Sequence, residues 1–318
     1  MVGFRERGSV GRLVIDQMPV LVLLGLCVFA SFAAPRFLSS SNLSNVLLQA
    51  SVLTVVTIGM TYVIIGGGFD LSVGSIVALS GCIAVEVMIE AGFAAGVLAG
   101  VLSGGLVGLV NGWVIAHLRV SPFITTLGMM VLIRGVVLLM TNGAPVVNDN
   151  EEPLFAALGT SRWLGIPILV WLAAMLALVF GWALHKTAYG TRIFAVGGNR
   201  DAAFLSGVPV RRITVSTFTV CGITAGIAGV MLAARLQSGQ PTAGEFYDLT
   251  SIAAVVLGGA ALHGGEGRLY KSIVGVLIMT VLTNSLNLIG VDSYWQRIAI
   301  GLVIIIAAAA DQFRQQRR

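Results

Sequence analysis

Residues 66–75 read GGGFDLSVGS and set a carboxylate, Asp70, among Gly66, Gly67, Gly68 and Gly74, between two long apolar runs. A charge in such surroundings is costly unless the backbone breaks and offers partners. Three successive glycines destabilise a helix interior by about 1 kcal/mol each, so the helix before them ends at 66–68. Asp70 then lies near the start of the next helix. There its carboxylate can accept backbone N–H bonds and meet the positive end of the helix dipole. Leu71-Ser72-Val73 resumes the apolar pattern. An N-terminal cap explains both the residue type and its position. The same geometry, turned toward a central cavity, would line a path through a membrane.

The rest of the chain decides which solvent surrounds that break. Of 318 residues, 57% are hydrophobic and 10% charged, with a mean hydropathy of +0.95. A soluble domain carries about 25% charged residues, so this chain cannot cover a water-facing surface and takes lipid as its solvent. Charge-free runs cover 17–35, 37–69, 71–85, 91–118, 163–185, 213–234, 249–265 and 272–291. Two more apolar spans each carry one arginine, 122–140 with Arg134 and 294–310 with Arg297. A helix needs roughly 20 apolar residues to cross the hydrocarbon core. The expected fold is all-α and polytopic, with about ten transmembrane helices near 17–34, 46–66, 72–90, 92–113, 122–140, 163–184, 213–235, 250–263, 271–290 and 294–310. The first run follows Arg5, Arg7 and Arg12, but no clean small-x-small cleavage site follows it and hydrophobic spans continue to the C-terminus, so we expect a retained helix. A single transmembrane domain over 1–318 is expected, with no long soluble domain on either side.

Loop charge supplies an orientation, because Lys and Arg accumulate in cytoplasmic loops. With the N-terminus inside, the inner segments hold Arg5, Arg7, Arg12, Arg119, Lys186, Arg192, Arg200, Arg211, Arg212, Arg268, Lys271, Arg314, Arg317 and Arg318. The outer loops hold Arg36 and Arg162 with Asp149, Glu151, Glu152, Glu245, Asp248 and Asp292. Arg235 and Arg297 run against the trend. Nine or eleven helices would place either the 185–212 loop or the basic tail outside, so both termini are expected in the cytoplasm. The net charge of +5 is thus a topology signal and gives no indication of nucleic-acid binding. Cys27, Cys82 and Cys221 fall in expected spans without paired spacing and read as buried, inert thiols.

Catalytic signatures are missing. The two lysines follow His185 and Tyr270, so no GxxxxGK[ST] phosphate loop can form. His117, His185 and His263 sit at membrane edges or in loops without metal-ligand spacing, and no Gly-x-Ser-x-Gly elbow occurs. We expect no enzyme activity, no metal and no cofactor. Gly92, Gly96, Gly100, Gly104, Gly108 and Gly112 recur at every fourth residue. A stripe without side chains lets another backbone approach closely, and Gly222, Gly226 and Gly229 offer a similar face. These glycines indicate tight helix packing and say nothing of a ligand.

Four ordered blocks carry a resemblance. MTYVIIGGGFDLSVGSIVAL (60–79), GLVNGWVIAHLRVSPFITTLGMMVLIRG (108–135) and VGGNRDAAFLSGVPVRR (196–212) are three of them. The fourth runs from GITAGIAGVMLAARLQSGQPTAGEFYDLTSIAAVVLGGAALHGGEG (222–267) to NSLNLIGVDSYWQ (284–296). Together they cover most of 42–311 and resemble the permease subunits of bacterial ABC importers for ribose, xylose, galactose and related sugars. Phe69, Ser121 and His263 depart from the residues usual in that family.

The resemblance implies a ten-helix permease of the bacterial cytoplasmic (inner) membrane, working with a second copy or paralogue. It also implies a separate cytoplasmic ABC ATPase subunit and a periplasmic or lipid-anchored sugar-binding protein. Pathway candidates on the first two blocks are Asp70, Ser72, Asn111, Phe123, Thr125, Thr126 and Arg134, since sugars need hydrogen-bonding groups beside apolar faces. An ion-coupled secondary transporter or channel would place ionisable groups at mid-membrane, where only Glu86 and Arg134 stand away from span ends. A related branched-chain amino acid permease would share the fold but matches 60–79 less well.

The 185–212 loop is expected to couple to the ATPase through a short helix. Asn199 would cap it, and Ala202, Ala203, Phe204 and Leu205 would give it an apolar surface. Gly207 would end it, with Pro209 just beyond. Residues alone leave open a helix resting on lipid, flanked by Lys186, Arg192, Arg211 and Arg212. The resemblance favours coupling, through Asn199, Arg200, Ala202, Phe204, Leu205, Ser206 and Gly207.

The charge asymmetry sets a topology test. In a cysteine-free background, Thr187→Cys in intact cells stays unlabelled by a membrane-impermeant maleimide and reacts only after permeabilisation. Labelling from outside overturns the ten-helix orientation.

Overall fold

The structure is a computed structural model describing residues 17–148 and 152–316, with side chains at 307, 308 and 310–316 outside the description. Arg5, Arg7, Arg12, Asp149, Glu151, Arg317, Arg318 and the side chain of Arg314 therefore lie outside the described residues. Thirteen helices are described. They are α1 Met18–Ala33, α2 Ser40–Ile65, α3 Val73–Ala91, α4 Phe93–Trp113, α5 Pro122–Thr141, α6 Pro153–Thr160 and α7 Ile168–Lys186. The chain continues through α8 Ala188–Gly198, α9 Arg200–Leu205, α10 Val210–Leu236, α11 Tyr247–Leu257, α12 Leu269–Leu288 and α13 Ser293–Gln316. A π-helical turn, Val114–Leu118, extends α4.

Seven helices are long and apolar enough to cross a membrane, and Met18–Ala33, Tyr247–Leu257 and Ser293–Ile306 are shorter apolar ones. The second helix starts earlier than expected because Ser39 caps it, its side chain accepting from Asn42 N–H. The segment expected at 250–263 is helical only over Tyr247–Leu257. Beyond it the chain turns at Gly259, Gly264 and Gly265, all with positive φ. The expected external loop over 141–162 contains α6, and the expected 185–212 loop is folded as α8 and α9.

The centre of the bundle is where α10 meets α4 and α3. Five of the six four-spaced glycines face another backbone. A Cβ on Gly96 or Gly100 would stand 2.4 Å from Ala84 O or 2.6 Å from Ser80 O of α3. Farther along, a Cβ on Gly104 or Gly108 would stand 2.5 Å from Gly222 O or 2.3 Å from Phe218 O of α10. At Gly112 it would reach 2.7 Å from Val215 Cα. The interlock is mutual, since a Cβ on Gly222 would lie 2.2 Å from Gly104 O. Gly92 serves differently. It sits at the junction of α3 and α4 with φ 82°, a conformation that suits glycine.

Polar pegs fasten the helices around this centre, as expected where no hydrophobic force drives helices together in lipid. The side-chain amides of Asn42 and Asn284 donate to each other at 3.0 and 2.9 Å, joining α2 to α12. Tyr62 OH donates to Phe180 O at 2.6 Å, joining α2 to α7. A two-residue antiparallel pairing links Val146–Val147 to Ser238–Gly239.

The interlock yields a contrast between glycines. Gly108→Leu forces α4 off α10, and overpacking of this kind typically costs about 1–3 kcal/mol or more. Gly128→Ala, with nothing within 4 Å of its Cβ, leaves stability unchanged or raises it by up to about 1 kcal/mol. Thermal unfolding of the detergent-solubilised variants checks the order, and equal melting temperatures would refute the interlock.

Candidate functional site

Two interruptions in the helical bundle meet. The first is the glycine break, where α2 ends at Ile65 and α3 begins only at Val73. Gly67 takes φ 81°. The second follows α10. Within residues 237–246, Ser238, Gly239, Pro241 and Gly244 are buried while Gln237, Thr242, Glu245 and Phe246 are exposed, with Gly239 against Cys82 of α3 and Gly244 against Gly74. A Cβ on Gly74 would lie 2.3 Å from Gly244 O, and one on Gly244 2.5 Å from Gly74 O. The starts of α3 and α11 therefore face each other across a backbone contact. Interrupted helices of this type expose helix ends and loose peptide groups inside a membrane protein, which suits the binding of a polar solute.

Asp70 is fully buried at the first interruption. It lies at the depth of Phe218 and Cys221, near the middle of α10, since Gly68 packs on Phe218 and the Cys221 thiol faces the Asp70 carboxylate. The cap geometry differs from the expectation. Ser72 holds the N-cap position of α3 and makes no side-chain cap bond. Asp70 Oδ1 instead accepts from Ser72 N–H at 2.9 Å and from Ser72 Oγ–H at 2.6 Å. This is an Asx turn that shapes the approach to the helix and leaves the helix's own N–H groups to other partners. Ser72 Oγ accepts in turn from Asn111 Nδ2 at 2.9 Å. Asp70 Oδ2 and Asn111 Oδ1 are buried without a hydrogen-bond partner.

Helix α5 bridges both interruptions. Thr126 Oγ1 donates to Pro122 O at 2.9 Å and approaches Phe69 O at 3.4 Å. Ser75 Oγ donates to Met130 O at 2.9 Å. Arg134 lies two turns farther on and reaches the other interruption. Its guanidinium donates to Pro241 O at 2.5 Å and to Ala243 O at 3.2 Å from both nitrogens. Glu245 and Asp248 act on it electrostatically. Arg134 thus pairs with carbonyl groups inside the bundle.

The sequence-derived pathway residues divide accordingly. Asp70, Ser72, Asn111 and Thr126 come together at the first interruption, and Arg134 holds the second. Thr125 is half-buried, and its Oγ1 is shielded without a partner. Phe123 does not join them, being 53% exposed on the outer face of α5. Asp248, expected in an outer loop, lies in the first turn of α11, close enough to act on Asp70 electrostatically. Loop-charge counting missed residues 237–246, because a Gly- and Pro-containing polar stretch reads alike whether it lies at a surface or is partly buried. The signal in QSGQPTAGEF is Gly239, Pro241 and Gly244 just before a span too short to cross alone.

In the segment expected to couple to an ATPase, Asn199 Oδ1 accepts from Ala202 N–H at 2.9 Å. Gly207 N–H donates to Phe204 O and Val208 N–H to Ala203 O, both at 3.0 Å. That is a Schellman ending, with Gly207 at φ 81°. Ala203 is buried, whereas Phe204 and Leu205 are 70% and 84% exposed. Phe204 also lines a cavity of about 940 Å³ whose mixed wall includes Arg119, Arg200, Asp201, Arg211 and Arg212 beside Ile115, Val120 and Val208.

The Asx turn separates two substitutions. Asp70→Asn keeps one carbonyl oxygen to accept both Ser72 bonds, and retains near-normal melting and transport. Asp70→Ala leaves the buried Ser72 N–H without its acceptor and loses about 1–3 kcal/mol. Normal folding of Asp70→Asn together with abolished transport would show that the charge itself is required.

Comparison with known proteins agrees with this architecture. The family profile described as branched-chain amino acid transport system / permease component matches residues 42–308. The chain is 43% identical over 304 residues to the ribose import permease protein RbsC of Escherichia coli (strain K12), covering 95% of each chain. It is 42% identical over 297 residues to that of Bacillus subtilis (strain 168), covering 92% of each. Identity to the L-arabinose transport system permease protein AraH of Escherichia coli (strain K12) is 37% over 312 residues, 98% of this chain and 94% of that one. No solved structure matches. With the match spanning both interruptions and the α9 segment, the chain belongs to the family of polytopic membrane permease components.

Proposed function

We propose that the chain is the membrane-spanning subunit of an ATP-driven ABC importer for a monosaccharide of the ribose, xylose or galactose class. The observation that carries this reading is the identity of 37–43% over more than nine-tenths of the chain to permeases named for ribose and arabinose. The interrupted helices support it, because they bring the polar side chains of Asp70, Ser72, Asn111 and Arg134 together with non-helical backbone inside the bundle. The family description names branched-chain amino acids, and amino acid import is therefore the second reading. Family membership gives no support to an ion-coupled carrier.

In this reading the bundle crosses the bacterial cytoplasmic membrane ten times, using the seven long helices and the three short apolar ones, with both termini inside. A separate ATPase subunit supplies the energy. A periplasmic or lipid-anchored binding protein delivers the sugar, and a second copy or paralogue completes the pathway. Helix α9 contacts the ATPase. Exposed Phe204 and Leu205 beside a basic cavity suit a groove on a soluble partner, which a short helix can enter by spaced apolar anchors.

Proteoliposomes test the proposal. The chain together with its ATPase subunit and binding protein accumulates labelled pentose in an ATP-dependent manner, and the chain alone accumulates none. Leu205→Asp or Ser206→Arg inserts at normal abundance, loses co-purification of the ATPase and abolishes uptake. Accumulation by the chain alone under a proton or sodium gradient would favour an ion-coupled carrier, and uptake of leucine in place of pentose the amino acid reading. Normal uptake and ATPase retention in both variants would remove α9 as the contact.

A further inference from the structure

A groove of about 730 Å³ runs along the outside of the bundle between α2, α7 and α12. It exists because the facing residues are small: Ala50 and Ser51 on α2, and Ala173, Ala174, Ala177 and Gly181 on α7. From Val170 to Lys186 on α7 its wall covers 17 residues, about 24 Å from end to end at 1.5 Å rise per residue. That exceeds the roughly 15 Å of one leaflet's hydrocarbon. None of the site residues described above lines the groove.

One end of the groove is chemically distinct. Its lining there comprises Trp182, His185, Lys186 and Tyr270. Trp182 and Tyr270 are 64% and 46% exposed, and Lys186 is exposed. His185 is fixed, its Nε2 accepting from Leu269 N–H at 3.2 Å and its ring packing 5.8 Å from that of Phe194. Arg268 and Lys186 both act on His185 electrostatically, so positive charge converges at this end. Tryptophan and tyrosine favour the level of lipid headgroups. Basic pockets between membrane helices bind anionic headgroups.

We infer that this groove binds an anionic phospholipid, its acyl chain along Ala174, Ala177 and Gly181 and its headgroup phosphate against Lys186. A zwitterionic lipid would fill the apolar length equally well, but its quaternary ammonium offsets its phosphate, whereas an anionic headgroup brings a net negative charge to Lys186. The site stands apart from the solute path, so its failure would leave the transport proposal untouched.

The purified full chain in nanodiscs of equimolar phosphatidylglycerol and phosphatidylcholine is extracted into detergent, and retained lipid is counted by native mass spectrometry. Wild type retains phosphatidylglycerol over phosphatidylcholine. Lys186→Gln lowers that preference about fivefold, the effect of one basic side chain at a lipid surface, whereas Arg162→Gln near the other end of α7 leaves it unchanged. Ala174→Trp fills the groove and reduces retention of both lipids. No preference in wild type, or a preference unaltered by Lys186→Gln, overturns the inference. A disulfide from Ala174→Cys to a cysteine placed within residues 1–16, or to Ala174→Cys of a second copy, also overturns it, by putting protein where the lipid is assigned.

Discussion

The contact on which the rest of this structure depends is made by absent side chains. Along α4 and α10, Gly104, Gly108 and Gly222 bring two backbones to distances that no Cβ would tolerate. In lipid, helices gain nothing by hiding apolar surface from one another, so dispersion at close range and a few hydrogen bonds must hold them. Close approach also brings α3 within reach, through Gly100 against Ser80 and Gly229 against Val77. With three helices locked in this way, the chain can leave helical geometry on either side of α3 without losing the bundle.

That freedom is used twice, and the two uses support each other. The stretch between α2 and α3 is held by Asp70, Ser72 and Asn111, and the stretch between α10 and α11 by Arg134. Their backbones touch at Gly74 and Gly244. Helix α5, with only Thr126, Ile133 and Val137 buried, is pegged to both by Thr126, Ser75 and Arg134.

The sequence shows much of this and hides the rest for physical reasons. The break at Gly66–Gly68 is legible because three glycines defeat a helix by local energetics alone. The spans are legible because length and apolarity are local properties. The cap on α9 and its glycine ending are legible for the same reason. Asp70 was placed near the right helix start, but the choice between a cap and an Asx turn depends on backbone angles that composition does not encode. Arg134 reads in the sequence as a lone cation in an apolar span and a pathway candidate. Its true partners are carbonyls 107 and 109 residues along the chain. Residues 237–246 read as a surface loop because the contact that draws them inward, Gly244 on Gly74, is a long-range fit of two backbones.

Arg134 holds its segment by peptide carbonyls, and every amino acid has one. The grip is therefore indifferent to which side chains stand at 241 and 243, provided that the backbone path is kept. A segment restrained through its main chain can exchange its side chains while its position stays fixed. The mechanical role and the chemical identity of this part of the bundle are thereby separable, and its side chains can change without rebuilding the support beneath them.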